Sequence, residues 1–171
     1  MTGSKSSQMV RIYRESFGLF ACNGITYNHE SPRRGENFVS RKICRAAAAI
    51  KLGLEKELVL GDLSARRDWG DAREYVLGMW LTLQQSKPDD FVFATGRLHT
   101  VEDIVREAFS AVKLDWRSFV RRDERFIRPA EPLELVGNPA RAKQVLNWEP
   151  KISFDSLIRE MTLAELAALS R

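Results

Sequence analysis

The sequence predicts an α/β fold. Three observations predict it. Short apolar runs of strand length occur at Phe91–Thr95 (FVFAT) and Leu58–Leu60 (LVL). Longer segments place apolar residues every three or four positions, the period of a helix packed on one face. Breaks rich in Gly, Pro and Asp separate the two kinds of segment, and helices outnumber strands. The 171 residues suit one domain of ordinary size, and an apolar share of 44% supplies a core without disulfide staples.

The elements follow in order. Gly18–Asn23 (GLFACN) is expected as a buried strand that feeds a loop through Gly24. The loop holds NHESPRRGENFVSRK, residues 28–42, which carries one of only 2 histidines amid acids, arginines and a glycine. From Asn37 the pattern turns helical, with Val39, Ile43, Ala46, Ala47 and Ile50 on one face and Gly53 as the stop. Leu58–Leu60 is a short strand before Gly61. Residues 72–85 read as a helix closed by SKPDD, and Phe91–Thr95 as the next strand. Thr100 caps a helix with Val101, Ile104, Val105, Ala108, Phe109 and Val112 inward, and Asp103 can reach back as a capping box. Asn138 caps a short helix with Pro139 in its first turn, and Ser153 caps a last helix carrying Leu157, Ile158, Met161 and Leu166.

Composition excludes several classes. No apolar stretch approaches the roughly 20 residues of a membrane span, and the opening MTGSKSSQ lacks the apolar core of a secretory signal. A cytoplasmic protein without a membrane partner is expected. Cys22 and Cys44 have no metal-ligand spacing, and both are expected as buried free thiols. The net charge is +4, and arginines cluster at Arg33 and Arg34, at Arg66 and Arg67, and at Arg121, Arg122, Arg125 and Arg128. Such clusters are either solvated patches or groups that converge on one compact anion. A basic nucleic-acid-binding module is the alternative class. Against it, the chain has no helix-turn-helix signature, zinc ligands or aromatic-rich strands, and no nucleic acid is expected. The sequence also contains no GxGxxG turn, P-loop or GxSxG, and no Tyr and Lys four apart. It reads as the second half of something.

The stretch GLFACNGITYNHESPRRGENFVSRKI closely resembles the GDP-mannose 4,6-dehydratase family, NADP-dependent extended short-chain dehydrogenases/reductases that act on nucleotide sugars. Three further segments match in order: LVLGDLSARRDWGDAREYV, FVFATGRLHTVEDIVREAF and RFIRPAEPLELVGNPARAKQVLNWEP. The resemblance runs over roughly residues 9–170, so residues 1–8 are expected as an unrelated or disordered N-terminus. It implies the C-terminal, substrate-binding part of a Rossmann-fold nucleotide-sugar dehydratase, without the N-terminal half that carries the glycine-rich turn, the Thr and Glu pair and the Tyr-x-x-x-Lys motif. In the family that half does the chemistry. A hydride passes from sugar C4 to NADP⁺, a glutamate removes the C5 proton, water leaves from C6 and the hydride returns there, giving GDP-4-keto-6-deoxy-mannose. A lyase fragment that binds GDP-sugar and is inactive alone is therefore implied. A half-enzyme that works with a complementing N-terminal half is the alternative.

Position by position, the resemblance implies substrate contacts from Asn28, Val39, Lys42, Arg67, Arg128 and Glu131, and cofactor contacts from His29 and Arg34. No catalytic residue is implied in this chain. Asp68 and Trp69 are expected to fix the loop around Arg67. Asp71 stands where relatives commonly carry histidine, which would put a carboxylate near the anion site. Homo-oligomers are implied for the intact family.

Overall fold

The computed structural model describes residues 2–126 and 135–171. Among the described residues, six α-helices and eight short strands follow one another along the chain. They are α1 (Thr2–Phe17), β1 (Asn23–Thr26), β2 (Asn28–Glu30), α2 (Val39–Lys51), β3 (Leu58–Leu60), β4 (Arg66–Arg67), β5 (Trp69–Asp71), α3 (Ala72–Thr82), β6 (Asp90–Phe93), β7 (His99–Thr100), α4 (Val101–Ala111), β8 (Val120–Arg122), α5 (Ala140–Leu146) and α6 (Phe154–Leu169). The strands pair two by two. β1–β6, β2–β5 and β3–β8 are parallel, and β4–β7 is antiparallel. Only Tyr27 separates β1 from β2, and its amide donates to the Phe93 carbonyl at 3.0 Å, continuing the β1–β6 ladder.

Two apolar clusters hold these pieces. The larger joins α2, α4 and α6 through Ile43, Ala47, Ile104, Phe109, Leu157 and Ile158, with Leu58, Leu60 and Trp69 from the strands. The smaller packs Tyr75 of α3, Phe91 and Phe93 of β6, Ala142 and Leu146 of α5, and Trp148. Helix ends follow local chemistry. Thr100 and Asp103 form the full capping box, and Ser153 accepts from the Ser156 amide. The cap position of α5 is Pro139, not the expected Asn138, and the helix begins at Ala140; Asn138 Oδ1 accepts from the Ala140 amide at 3.0 Å as a turn just ahead of the helix.

Two further expectations are corrected. The segment 18–22 is not strand. Gly18 ends α1 at φ 62°, Arg14 donates to the Ala21 carbonyl, and Leu19 and Phe20 are exposed. The strand starts at Asn23, where the amide and side chain both donate to Asp90. Residues 2–8 lie within the α1 helix. Cys22 and Cys44 are both free, but only Cys44 is buried; Cys22 is half-buried.

Candidate functional site

Asn28 opens β2 directly opposite Trp69 of β5. Arg67 closes β4 opposite His99 of β7. A single residue, Asp68, lies between Arg67 and Trp69, so the two expected phosphate and sugar contacts flank one joint of the chain. Asp68 is 1% exposed and accepts four hydrogen bonds. Thr95 supplies its amide (2.8 Å) and hydroxyl (2.6 Å), Gly96 its amide (2.9 Å), and Gly137 its amide (3.2 Å). Arg67 is half-buried, and its guanidinium donates to the Arg66 carbonyl at 2.6 Å.

The loop after β2 is built on Glu30, a carboxylate 1% exposed. Ser40 donates to it at 2.5 Å from the first turn of α2, and Arg34 lies 3.2 Å away as an ion pair without hydrogen-bond alignment. Burial pushes the Glu30 carboxyl above its ordinary range, while Ser40, Arg34 and His29 pull it back. The Arg34 guanidinium lies 3.5 Å over the Phe38 ring, and Arg41 donates to the Arg34 carbonyl. His29 Nδ1 sits 2.9 Å from the Tyr27 carbonyl, which can only accept, so Nδ1 carries a proton.

Lys42 lies apart from this joint. Its ammonium donates to the Val59 carbonyl in β3 at 3.1 Å and stands 5.8 Å from the Phe126 ring. Val39, one turn earlier, packs against the larger core. Arg128 and Glu131 lie outside the described residues. Their flanks are described: Phe126 stands by Lys42, and Gly137 is bonded to Asp68 beside Arg67. The structure thus sets Asn28 opposite Trp69, two residues along the chain from Arg67, places His29 and Arg34 each beside Glu30, and puts Lys42 at the edge of β3.

The expectation for Asp71 is corrected. Its side chain is fully buried, accepts from the Arg73 amide as the cap of α3, and pairs with the Arg73 guanidinium at 2.6 Å. Arg73 pairs in turn with Glu160. The carboxylate is consumed by a helix start and its arginine, and it adds no charge to an anion site. Of the outer arginines, Arg121 faces Glu57 and Arg125 pairs with Asp123.

Some contributors were not singled out in the sequence. Thr95 and Gly137 act through Asp68, 27 and 69 residues away in sequence, and Glu30 through Arg34 and Ser40 in the loop and helix that follow it. A cleft of about 510 Å³ lies beyond Trp69, where the His99 ring stacks on Phe154 at 3.8 Å with Arg97, Lys143 and Lys151 around it. Among the described residues, no group of His, Cys, Asp and Glu could hold a metal ion.

The GDP-mannose 4,6 dehydratase family model matches residues 4–161, which include every candidate residue. This chain belongs to the GDP-mannose 4,6-dehydratase family. GDP-mannose 4,6 dehydratase 2 of Arabidopsis thaliana is 53% identical over 159 residues, which cover 93% of this chain and 43% of that protein. The human GDP-mannose 4,6 dehydratase is 44% identical over 171 residues, covering 90% and 46%. The chain therefore spans about half the length of these curated relatives. Among solved structures, RMD from Pseudomonas aeruginosa complexed with NADPH superposes with a TM-score of 0.82 at 17% identity, over 94% of this chain and 53% of that one. UDP-glucose 4-epimerase from Thermotoga maritima with UDP-glucose gives 0.78 at 20% identity. These likenesses establish the dehydratase and epimerase fold for this part of the family's length.

Proposed function

We propose that this chain is the GDP-sugar-binding half of a cytoplasmic GDP-mannose 4,6-dehydratase, without turnover in isolation. The observation that carries the reading is the joint at Asp68. It sets Asn28 and Arg67, two residues of the matching family segments, on adjoining ladders. An amide there can donate to a phosphate while accepting from a sugar hydroxyl, and a guanidinium gives phosphate a forked, permanently charged partner. Lys42 adds a charge near β3, with Val39 beside it, and Arg128 and Glu131 complete the contacts the family resemblance implies.

NADP in the family takes up and returns a hydride. His29 and Arg34 fit an edge contact to such a cofactor, through the Nε2 edge of the imidazole and a stacked guanidinium. They do not amount to a cofactor site, because Arg34 is already balanced by Glu30 and the sequence holds no glycine-rich turn. What this chain's residues do is bind and orient the diphosphate and sugar.

A second reading, complementation by a nucleotide-binding half, is favoured by one face of α3. Tyr75, Gly78 and Thr82 are buried inward, while Val76, Leu77, Trp80 and Leu83 are exposed on the other side. A helix apolar all round is normally covered on both faces. The cover proposed is the half of the relatives' length that this chain does not span. The test is an assay of GDP-mannose conversion by the purified chain, alone and mixed with the N-terminal half of the Arabidopsis relative. No product alone and product from the mixture are expected. Product from the chain alone would overturn the reading.

A further inference from the structure

We infer that Asp68 is a positioning residue for the GDP-sugar site: it locks three strand ladders that share no strand, and so sets Arg67 against Asn28. The inference rests on the proposed binding role of those two residues. The problem it solves is geometric. Asn28 belongs to β2–β5 and Arg67 to β4–β7, while the turn that joins β6 to β7 leaves the β1–β6 ladder. No ladder hydrogen bond runs between β4–β7 and either of the others. Two residues on separate ladders hold a fixed separation only if something else joins them.

The Asp68 backbone is the joint between β4 and β5. Its carboxylate gathers the Thr95–Gly96 turn just before β7, fixing the strand that Arg67 faces. The same carboxylate takes the Gly137 amide, and Gly137 passes so close to Ala94 and Tyr27 that an added Cβ would sit 2.2 Å from one and 2.8 Å from the other. Tyr27 immediately precedes Asn28. Asp68 thus reaches both sides of the pair it aligns.

The chemistry requires a carboxylate. Four donors meet two oxygens, two on Oδ1 and two on Oδ2. An ionised aspartate is an acceptor throughout, whereas an asparagine must turn its NH₂ toward one pair of donors. Asp68→Asn therefore loses both bonds from Gly96 and Gly137 if its NH₂ faces them, or the Thr95 amide bond if it faces Thr95, whose hydroxyl can turn to accept; either way a donor meets a donor.

The experiment compares wild type, Asp68→Asn and Met161→Ala, the last weakening the core that α6 shares with α2 and α4 without removing a bond to Asp68. Amide exchange is read at Thr95, Gly96 and Gly137, and affinity is read by titration with GDP-mannose. Asp68→Asn should speed exchange at those amides and weaken binding by about tenfold or more, the scale of a lost charge-assisted contact. Met161→Ala, at an equal loss of melting temperature, should leave affinity near wild type. Thr95→Val removes one donor and should give an intermediate loss that Thr95→Ser restores; this pair decides the matter if Asp68→Asn does not fold. Unchanged exchange in Asp68→Asn, full affinity in a folded Asp68→Asn, or an equal loss in Met161→Ala would overturn the inference. Failure of the wild-type chain to bind would instead strike the proposed binding role, and exchange would still judge the tether.

Discussion

Gly78→Ala should lower the melting temperature although alanine is the better helix former. Gly78 lies on the buried face of α3, where a Cβ would stand 2.4 Å from Phe93 Cε1 and 2.7 Å from Cδ1. The helix itself would gain about 1 kcal/mol from the exchange. The ring cannot give way freely. Phe93 is fully buried, and Trp148 meets it edge-on with centroids 4.9 Å apart. Trp148 is pinned in turn by its Nε1–H bond to the Glu74 carbonyl at 2.8 Å. Overpacking of this kind costs about 1–3 kcal/mol, and a contact this short against a locked ring belongs at the upper end. The net loss is then about 1–2 kcal/mol, or a melting temperature lower by roughly 2–8 °C for a chain of this length. Urea denaturation should give the same loss with an unchanged m-value. The double variant with Phe93→Leu should lose less than the two single changes together, because the smaller side chain makes room. A more stable Gly78→Ala, or strict additivity, would refute the reasoning.

Four further outcomes follow from the same geometry. Arg67→Ala should weaken GDP-mannose binding by about 1.5–3 kcal/mol, and Arg67→Lys should restore little of it because an ammonium lacks the fork; titration calorimetry reads both. Thr100→Ala should cost about 1 kcal/mol in urea denaturation through loss of the capping box. Asp103 is held below the ordinary carboxylate range: partial burial pulls it up, but the Thr100 bonds and Arg106 outweigh that. A lowered native pKa adds stability above the unfolded value of about 3.9, and that stability is lost as pH falls below it, so Asp103→Asn should flatten the acid limb of a stability profile. Cys44, fully buried with burial pushing its thiol up to about 12, should resist thiol reagents at pH 8 in the native chain, while half-buried Cys22 reacts.

Much of the fold was legible because local rules governed it. The 3.6-residue period of α2 and α4, the caps at Thr100 and Ser153, and the LVL strand all appear where the pattern placed them. Residues 18–22 misled because their apolar character serves a link, exposed at Leu19 and Phe20, and not a ladder; only a distant partner, Asp90, fixes where β1 begins. Asp71 misled for a similar reason. Its charge suggested proximity to an anion, and only the fold shows it capping α3 under Arg73. The candidate ligands came from motif resemblance, which can name Asn28 and Arg67. That two strand ladders meet between them at Asp68 depends on Thr95 and Gly137, 27 and 69 residues further on. Such long-range closure leaves no local period to read.

The most direct test of the account is isothermal titration of the folded, purified chain with GDP-mannose, with ADP-ribose as the control. The account predicts selective, saturable binding of GDP-mannose that is lost in Arg67→Ala. A demonstrably folded chain that binds neither ligand, or both equally, would contradict it.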